Sequence, residues 1–142
     1  MTPISNQILV AVLQSLLTAG PVGTNVYRSR EEAFQREELP AIVIRPDNED
    51  TNAFANRVDE NNFVFKVEIH VRGEVWDDIA APVALAVNKA LTADPAILTL
   101  CSSIRRVGTH WDGANADLTA GVQTVRYHAI YLSDSRDTSQ LI

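Results

Sequence analysis

Hydrophobic positions recur along this chain with two different periods, and each change of period marks an element. Ile4, Ile8, Leu9, Val12, Leu13, Leu16 and Leu17 repeat at helical spacing. Thr2 stands where a capping hydroxyl is wanted, Pro3 suits a first helical position, and Gly20-Pro21 ends the run. This predicts an amphipathic helix. A short strand follows at Asn25-Val26-Tyr27-Arg28, and the charged residues 30–38 read as a solvated helical turn or loop. Pro40 leads into Ala41-Ile42-Val43-Ile44, which stops at Arg45. Consecutive apolar residues need cover on both faces, which places this strand centrally in a sheet.

The period then becomes two. Phe63, Phe65, Val67, Ile69 and Val71 alternate with Val64, Lys66, Glu68, His70 and Arg72, so one face is buried and one polar. Asp77 or Asp78 is placed to cap a second helix with the stripe Ile79, Val83, Val87, Ala90 and Leu91, and Pro82 must then lie near its first turn or kink it. A short turn is expected at Asp94-Pro95-Ala96-Ile97-Leu98. Two further strands are expected at about Ile104–Trp111 and Val122–Leu132, with a turn-rich loop at residues 112–117 between them. The tail from about Ser133 is polar and expected to fray. The resulting order, α-β-β-β-α-β-β, predicts one α+β domain over residues 1–142. Two main helices would pack on a mixed, mostly antiparallel sheet of about five strands.

Between the two best strands lies the most unusual stretch. Residues 46–61 hold five carboxylates (Asp47, Glu49, Asp50, Asp59, Glu60) and four asparagines (Asn48, Asn52, Asn56, Asn61), with Phe54 as the lone large apolar side chain. It reads as a long polar loop, and loops of this length inside compact domains tend to be functional. An EF-hand does not fit: counted from Asp47, position six is Asn52 and position twelve is Val58, where glycine and glutamate are required. Like charges that keep the loop solvated explain the acids more simply than a loose cation site at Asp47, Glu49 and Asp50.

Composition narrows the function classes. The net charge is −6, which gives no electrostatic footprint for nucleic acid; Arg105-Arg106 is an isolated basic pair. The single cysteine, Cys101, excludes an intrachain disulfide or thiolate cluster and reads as a small buried hydrophobe. No stretch approaches the roughly 20 apolar residues of a membrane span, and the apolar N-terminal run lacks a basic leader region. The expected setting is a reducing cytoplasm. His70, His110 and His128 lack metal-binding spacing, and no G-x-S-x-G or glycine-rich phosphate loop occurs. Trp76 and Trp111 sit at element ends as core lids or interface anchors. The expectation is a non-enzymatic binding or assembly protein without cofactors.

The opening helix, the strand and charged turn leading into Leu39-Pro40-Ala41-Ile42-Val43-Ile44, and the alternating strand Phe63–Val71 together carry a resemblance. So do the acid-led helix from Asp77-Asp78-Ile79, the turn Asp94–Leu98, the Asp112-Gly113 loop and the closing strand ending at Tyr131. In this order and spacing the chain resembles the tail terminator family of long-tailed bacteriophages and prophages, the minor tail protein U-like type. The tail beyond Leu132 is longer than the family pattern needs. The resemblance implies a small α+β subunit of the virion tail, assembled in the bacterial cytoplasm. It implies a homo-oligomeric six-fold ring on the tail tube that ends tube growth and presents a surface to the head-tail connector protein. Genomic DNA would pass through without sequence-specific binding, which a net negative subunit suits. Under this reading residues 46–61 would dock onto the tube or connector, with Asp47, Glu49, Asp50 and Phe54 in contact. The ring seam would set Arg28, Arg30 and Arg36 against Trp111 and Asp112 of a neighbour. Alternatives are another neck or head-completion subunit, or a small α+β enzyme or ligand-binding domain built around His70, His128 and the acids.

Overall fold

The computed structural model describes residues 2–113 and 120–142. Its elements are α1 (Ile4–Ala19), β1 (Val26–Arg28), β2 (Ala41–Ala55), β3 (Val58–Arg72), α2 (Trp76–Ala93), α3 (Pro95–Leu100), β4 (Ser103–Gly113), β5 (Ala120–Asp134) and β6 (Asp137–Leu141). The expected α+β order is present, with α3 and β6 added. The strands form one mixed sheet in the order β1-β2-β3-β5-β4. β1 runs parallel to β2, and the other pairings are antiparallel. Of the expected turn-rich loop, residues 114–117 lie outside the described residues.

The alternation in β3 does what a period of two requires. Phe63, Phe65, Val67, Ile69 and Val71 are buried, and they lie opposite Ala129, Tyr127, Val125, Gln123 and Gly121 of β5. Odd-numbered residues of both strands therefore share one face. The three helices cover that face. Ile4, Ile8, Leu9, Val12 and Leu16 of α1, with Ala80, Val83, Val87 and Leu91 of α2, join it in one core cluster. Phe65 stacks on Tyr127 with centroids 5.6 Å apart at the centre of that cluster. Gly121 is required here by close approach: a Cβ at this position would lie 2.0 Å from Trp76 Cδ2, so the indole lies directly on the strand backbone. Cys101 is buried and its thiol donates to the Ile97 carbonyl at 3.3 Å; burial pushes its pKa up.

Several boundaries differ from the sequence reading. Residues 46–61 form the outer half of a hairpin between two 15-residue strands, closed by a two-residue turn in which Arg57 adopts φ 64°. Asp and Asn are poor strand formers, but β3 offers these residues a backbone partner whose other edge β5 already holds. The tail from Ser133 is also paired: β6 returns along β5 and Ile142 N donates to the Leu132 carbonyl at 3.1 Å. Helix starts shift as well. Pro3 takes the cap position of α1 without a side-chain bond, and Gly20 closes the helix in the left-handed region at φ 70°. Val75 precedes α2, so Asp77 and Asp78 lie inside its first turn and face the helix dipole. Pro82 falls in the second turn of α2, Ala80 is buried there, and Ile79 is exposed. The expected turn at Asp94 opens a helix, with the Asp94 carboxylate accepting from Ala96 N at 2.8 Å.

Since Phe65 is fully buried against Tyr127, Phe65→Ala is expected to lower stability by about 3–5 kcal/mol. Chemical denaturation followed by tryptophan fluorescence measures this directly.

Candidate functional site

The expected interface residues fall into two groups on the sheet. The charged connection after β1 is the first. A parallel β1–β2 pair needs a crossover, and the chain from Ser29 to Pro40 supplies it. Phe34 lies 5.6 Å from Tyr27 and 4.9 Å from His70, so the crossover runs over the sheet face opposite the helices. This explains the two-sided burial of Ala41–Ile44, all at zero exposure: helices cover one face and the crossover shields the other.

Arg30 holds the crossover in place. Its guanidinium lies 4.6 Å from the Tyr27 ring centre and 4.2 Å from that of Phe34, and it donates to both Glu38 oxygens at 3.0 and 3.2 Å. Gln35 N adds a bond to Glu38 at 2.8 Å. The hydrogen bond from Arg30, then that from Gln35 N, holds the Glu38 carboxyl below its ordinary pKa, and the same pair raises that of Arg30. Arg30 is thus engaged within its own chain, whereas Arg28 and Arg36 are exposed. Next to it, Arg45 bonds Glu68 at 3.0 Å, Glu31 at 3.1 Å and the Arg30 carbonyl. Burial raises the pKa of Glu68, but hydrogen bonds from His70 and Arg45 outweigh it and the net shift is downward.

The second group is the outer half of the hairpin. A bulge after Pro46 sends neighbouring acids to opposite faces. Asp47 reaches Arg126 at 3.0 Å on the face away from the helices. Glu49 points to the helix side and accepts from the Tyr131 hydroxyl at 2.7 Å; burial and that carboxylate raise the Tyr131 pKa strongly. Asp50 accepts from Asn48 at 3.1 Å. Beneath them Asn61 is buried, donating to Ser133 Oγ at 2.8 Å and accepting from Thr51 Oγ1 at 2.9 Å. Among the described residues no buried side-chain nitrogen or oxygen lacks a partner. Phe54, near the turn, is 60% exposed.

Trp111, 54% exposed, and the exposed Asp112 lie at the far end of β4. They do not meet the Arg28 segment within the chain. The registers put Trp111, Gln123, Ile69, Ile42 and Val26 in one row, so Trp111 and β1 stand at the same height on opposite edges of the sheet. Sequence reading missed Arg126 and Tyr131 as partners of Asp47 and Glu49, and Asn61 as the buried link between Thr51 and Ser133. The alternation through 122–132 carries the signal for Arg126, since it falls on the polar parity of β5.

Among the described residues no catalytic constellation converges. His128 bonds Asn62 at 2.9 Å, His70 bonds Glu68 at 3.1 Å, and His110 is exposed on β4. Among the described residues no group of three or more His, Cys, Asp or Glu side chains is arranged to hold a metal. The groove between α1 and α2 is lined by Ala11, Ala19, Ala90 and Ala93 with Lys89 and Asp94 at its rim, a surface of small side chains. No helix among the described residues is long and apolar enough to cross a membrane.

No protein-family model matches the chain. No curated protein matches it either. Among solved structures, the fold is shared with a chain of the "Virion of native gene transfer agent (GTA) particle". The two align at a TM-score of 0.62 with 18% identity, over 85% of this chain and 91% of that one.

The Glu38 shift sets a pH dependence. A carboxyl held below its unfolded value of about 4.3 contributes stability above that pH and loses the contribution as pH falls through the folded value. Carbon-detected NMR titration is expected to place Glu38 below the ordinary range in the native chain and to move it upward, toward that range, in Arg30→Ala. An unchanged Glu38 titration in that variant counts against Arg30 as the cause.

Proposed function

We propose that this chain is a structural subunit of a phage-like virion and acts as a tail terminator. Copies of it close a ring, six-fold by the family resemblance, on the end of the tail tube. The ring stops tube polymerisation and offers its other side to the head-tail connector. The observation that carries this reading is the fold shared with the gene transfer agent virion chain, which spans nearly all of both chains. The order and spacing of elements that resemble tail terminators support it further. So does the way the polar side chains are used: they tie strands and crossover together rather than converge on a reaction centre.

In this reading the β2–β3 hairpin is the docking arm. It carries Phe54 exposed near its turn, with Asp47 and Glu49 bracing its root. A paired hairpin presents its end in a defined orientation, which lowers the ordering cost of docking compared with a loop. DNA traverses the ring without base-specific contact. No cofactor or catalytic step is involved.

Light scattering of the purified chain, alone and with tail-tube subunits, tests the reading. A ring-sized species that caps tubes at fixed length is the expected result, whether the ring forms alone or only on tubes. A chain that ignores tube ends and binds a portal ring instead identifies another neck subunit. One that binds neither overturns the virion role. Phe54→Asp is expected to leave the fold intact and weaken tube capping by roughly tenfold or more, as loss of an exposed aromatic anchor does.

A further inference from the structure

The sheet leaves two long backbone edges without a partner among the described residues. On one side, β1 covers β2 only at Ile42, Val43 and Ile44, so the edge of β2 beyond Arg45 is open and every residue from 46 to 55 is exposed. On the other side, β4 is terminal in the strand order. Because β3 occupies one edge of β5 along its whole length, β4 and β6 share the other, and β6 continues the line of β4 past Ser103. Unpaired edges of this length recruit other strands unless something forbids it.

Charge distinguishes the two edges, face by face. On the face away from the helices, β2 presents Asp47 and Asp50 while β4 presents Arg105, whose row across the sheet runs through His128 and Val64 to Asn48. On the helix side, β2 presents Glu49 and β4 presents Arg106, which lies opposite Tyr127. Arg105 and Arg106 are exposed and make no ion pair among the described residues. The basic start of β4 therefore attracts the acidic edge of β2, and each of these two segments repels a second copy of itself, while Asp112 and Asp137 lie toward the far ends of the β4–β6 edge. Pro46 and the register shifts at Pro46/Asn48 and Ala53/Ala55 in β2 and at Arg106/Gly108 in β4 add to the barrier against indiscriminate pairing. Strand direction agrees. Three antiparallel steps separate β2 from β4, so they run in opposite directions within one chain. A copy rotated about an axis along the strands then brings its β2 antiparallel to β4 of its neighbour. That contact is heterologous, the kind that generates rings.

We infer that the open edge of β2 beyond Arg45 pairs antiparallel with β4, and β6 beyond it, of a second copy of this chain, joining the sheets of neighbouring subunits into one. Arg105 and Arg106 select the acidic edge. This rests on the ring-forming reading above and names the surface that makes the ring. It moves the seam from Arg30, held by Glu38, to Arg105 and Arg106.

Hydrogen exchange by mass spectrometry compares the assembled and monomeric chain. Amides of residues 46–55 and 103–113 are expected to slow together, by about tenfold or more, on assembly. Reversal at β4 (Arg105→Glu with Arg106→Glu) or at β2 (Glu49→Lys with Asp50→Lys) is expected to weaken self-association by about tenfold or more, and both reversals in one chain to restore it. Far-ultraviolet circular dichroism and Tm verify that the variants fold. Assembly with both edges still exchanging freely, or reversal variants that assemble like the native chain, overturns the pairing. A native chain that caps tubes yet never self-associates also overturns it while leaving the tail role standing. A native chain that self-associates with the expected protection but ignores tubes keeps the pairing and removes the tail role.

Discussion

Antiparallel pairing of β3 with β5 puts every odd-numbered side chain of two 15-residue strands on one face, and the rest of the fold is fitted to that ladder. Three helices have somewhere to pack because the ladder presents Phe65, Val67, Ile69, Val125, Tyr127 and Ala129 as one apolar surface. The constraint also works at the level of single atoms. Trp76 closes the end of the core only because Gly121 has no side chain where the indole lies. Residues 46–55 are strand because β3 holds them, although their own composition argues for a loop.

That long ladder has a consequence at its margins. Strands of this length present long rows of backbone N–H and C=O groups at an edge, and β1, three residues long, covers only Ile42–Ile44 of β2. A monomer therefore carries exposed backbone on two sides. A subunit that assembles can use such edges, and charged residues, a proline and bulges keep them from pairing at random.

Charged residues also do interior work. The crossover after β1 shields the outer side of Ala41–Ile44 by laying Phe34 and Arg30 across the sheet, with Glu38 and Glu68 as counter-charges for Arg30 and Arg45. Its high charge in the sequence reflects hydrogen bonding within the chain as much as solvation. The same is true of Asp47 and Glu49, which brace the hairpin through Arg126 and Tyr131.

Periodicity by itself determined α1, α2, the inner half of the β2–β3 hairpin, the alternation of β3 and the α+β order. Burial repeats with the geometry of the element, and that repeat is written in the order of residues. The two-sided burial of Ala41–Ile44 was equally legible, since four consecutive apolar residues cannot all face one side of a strand. Tertiary structure alone decided the outer half of the hairpin, the pairing of the polar tail as β6, and the partners of Arg30, Asp47 and Glu49. Exposed strands carry no hydrophobic signal, and their existence depends on backbone bonds to residues far along the chain. Only the assembled sheet showed that Arg105-Arg106, an isolated basic pair in sequence, stands on the edge opposite the acids of β2. Which edge a strand occupies is a property of the whole topology, and no local pattern of residues encodes it.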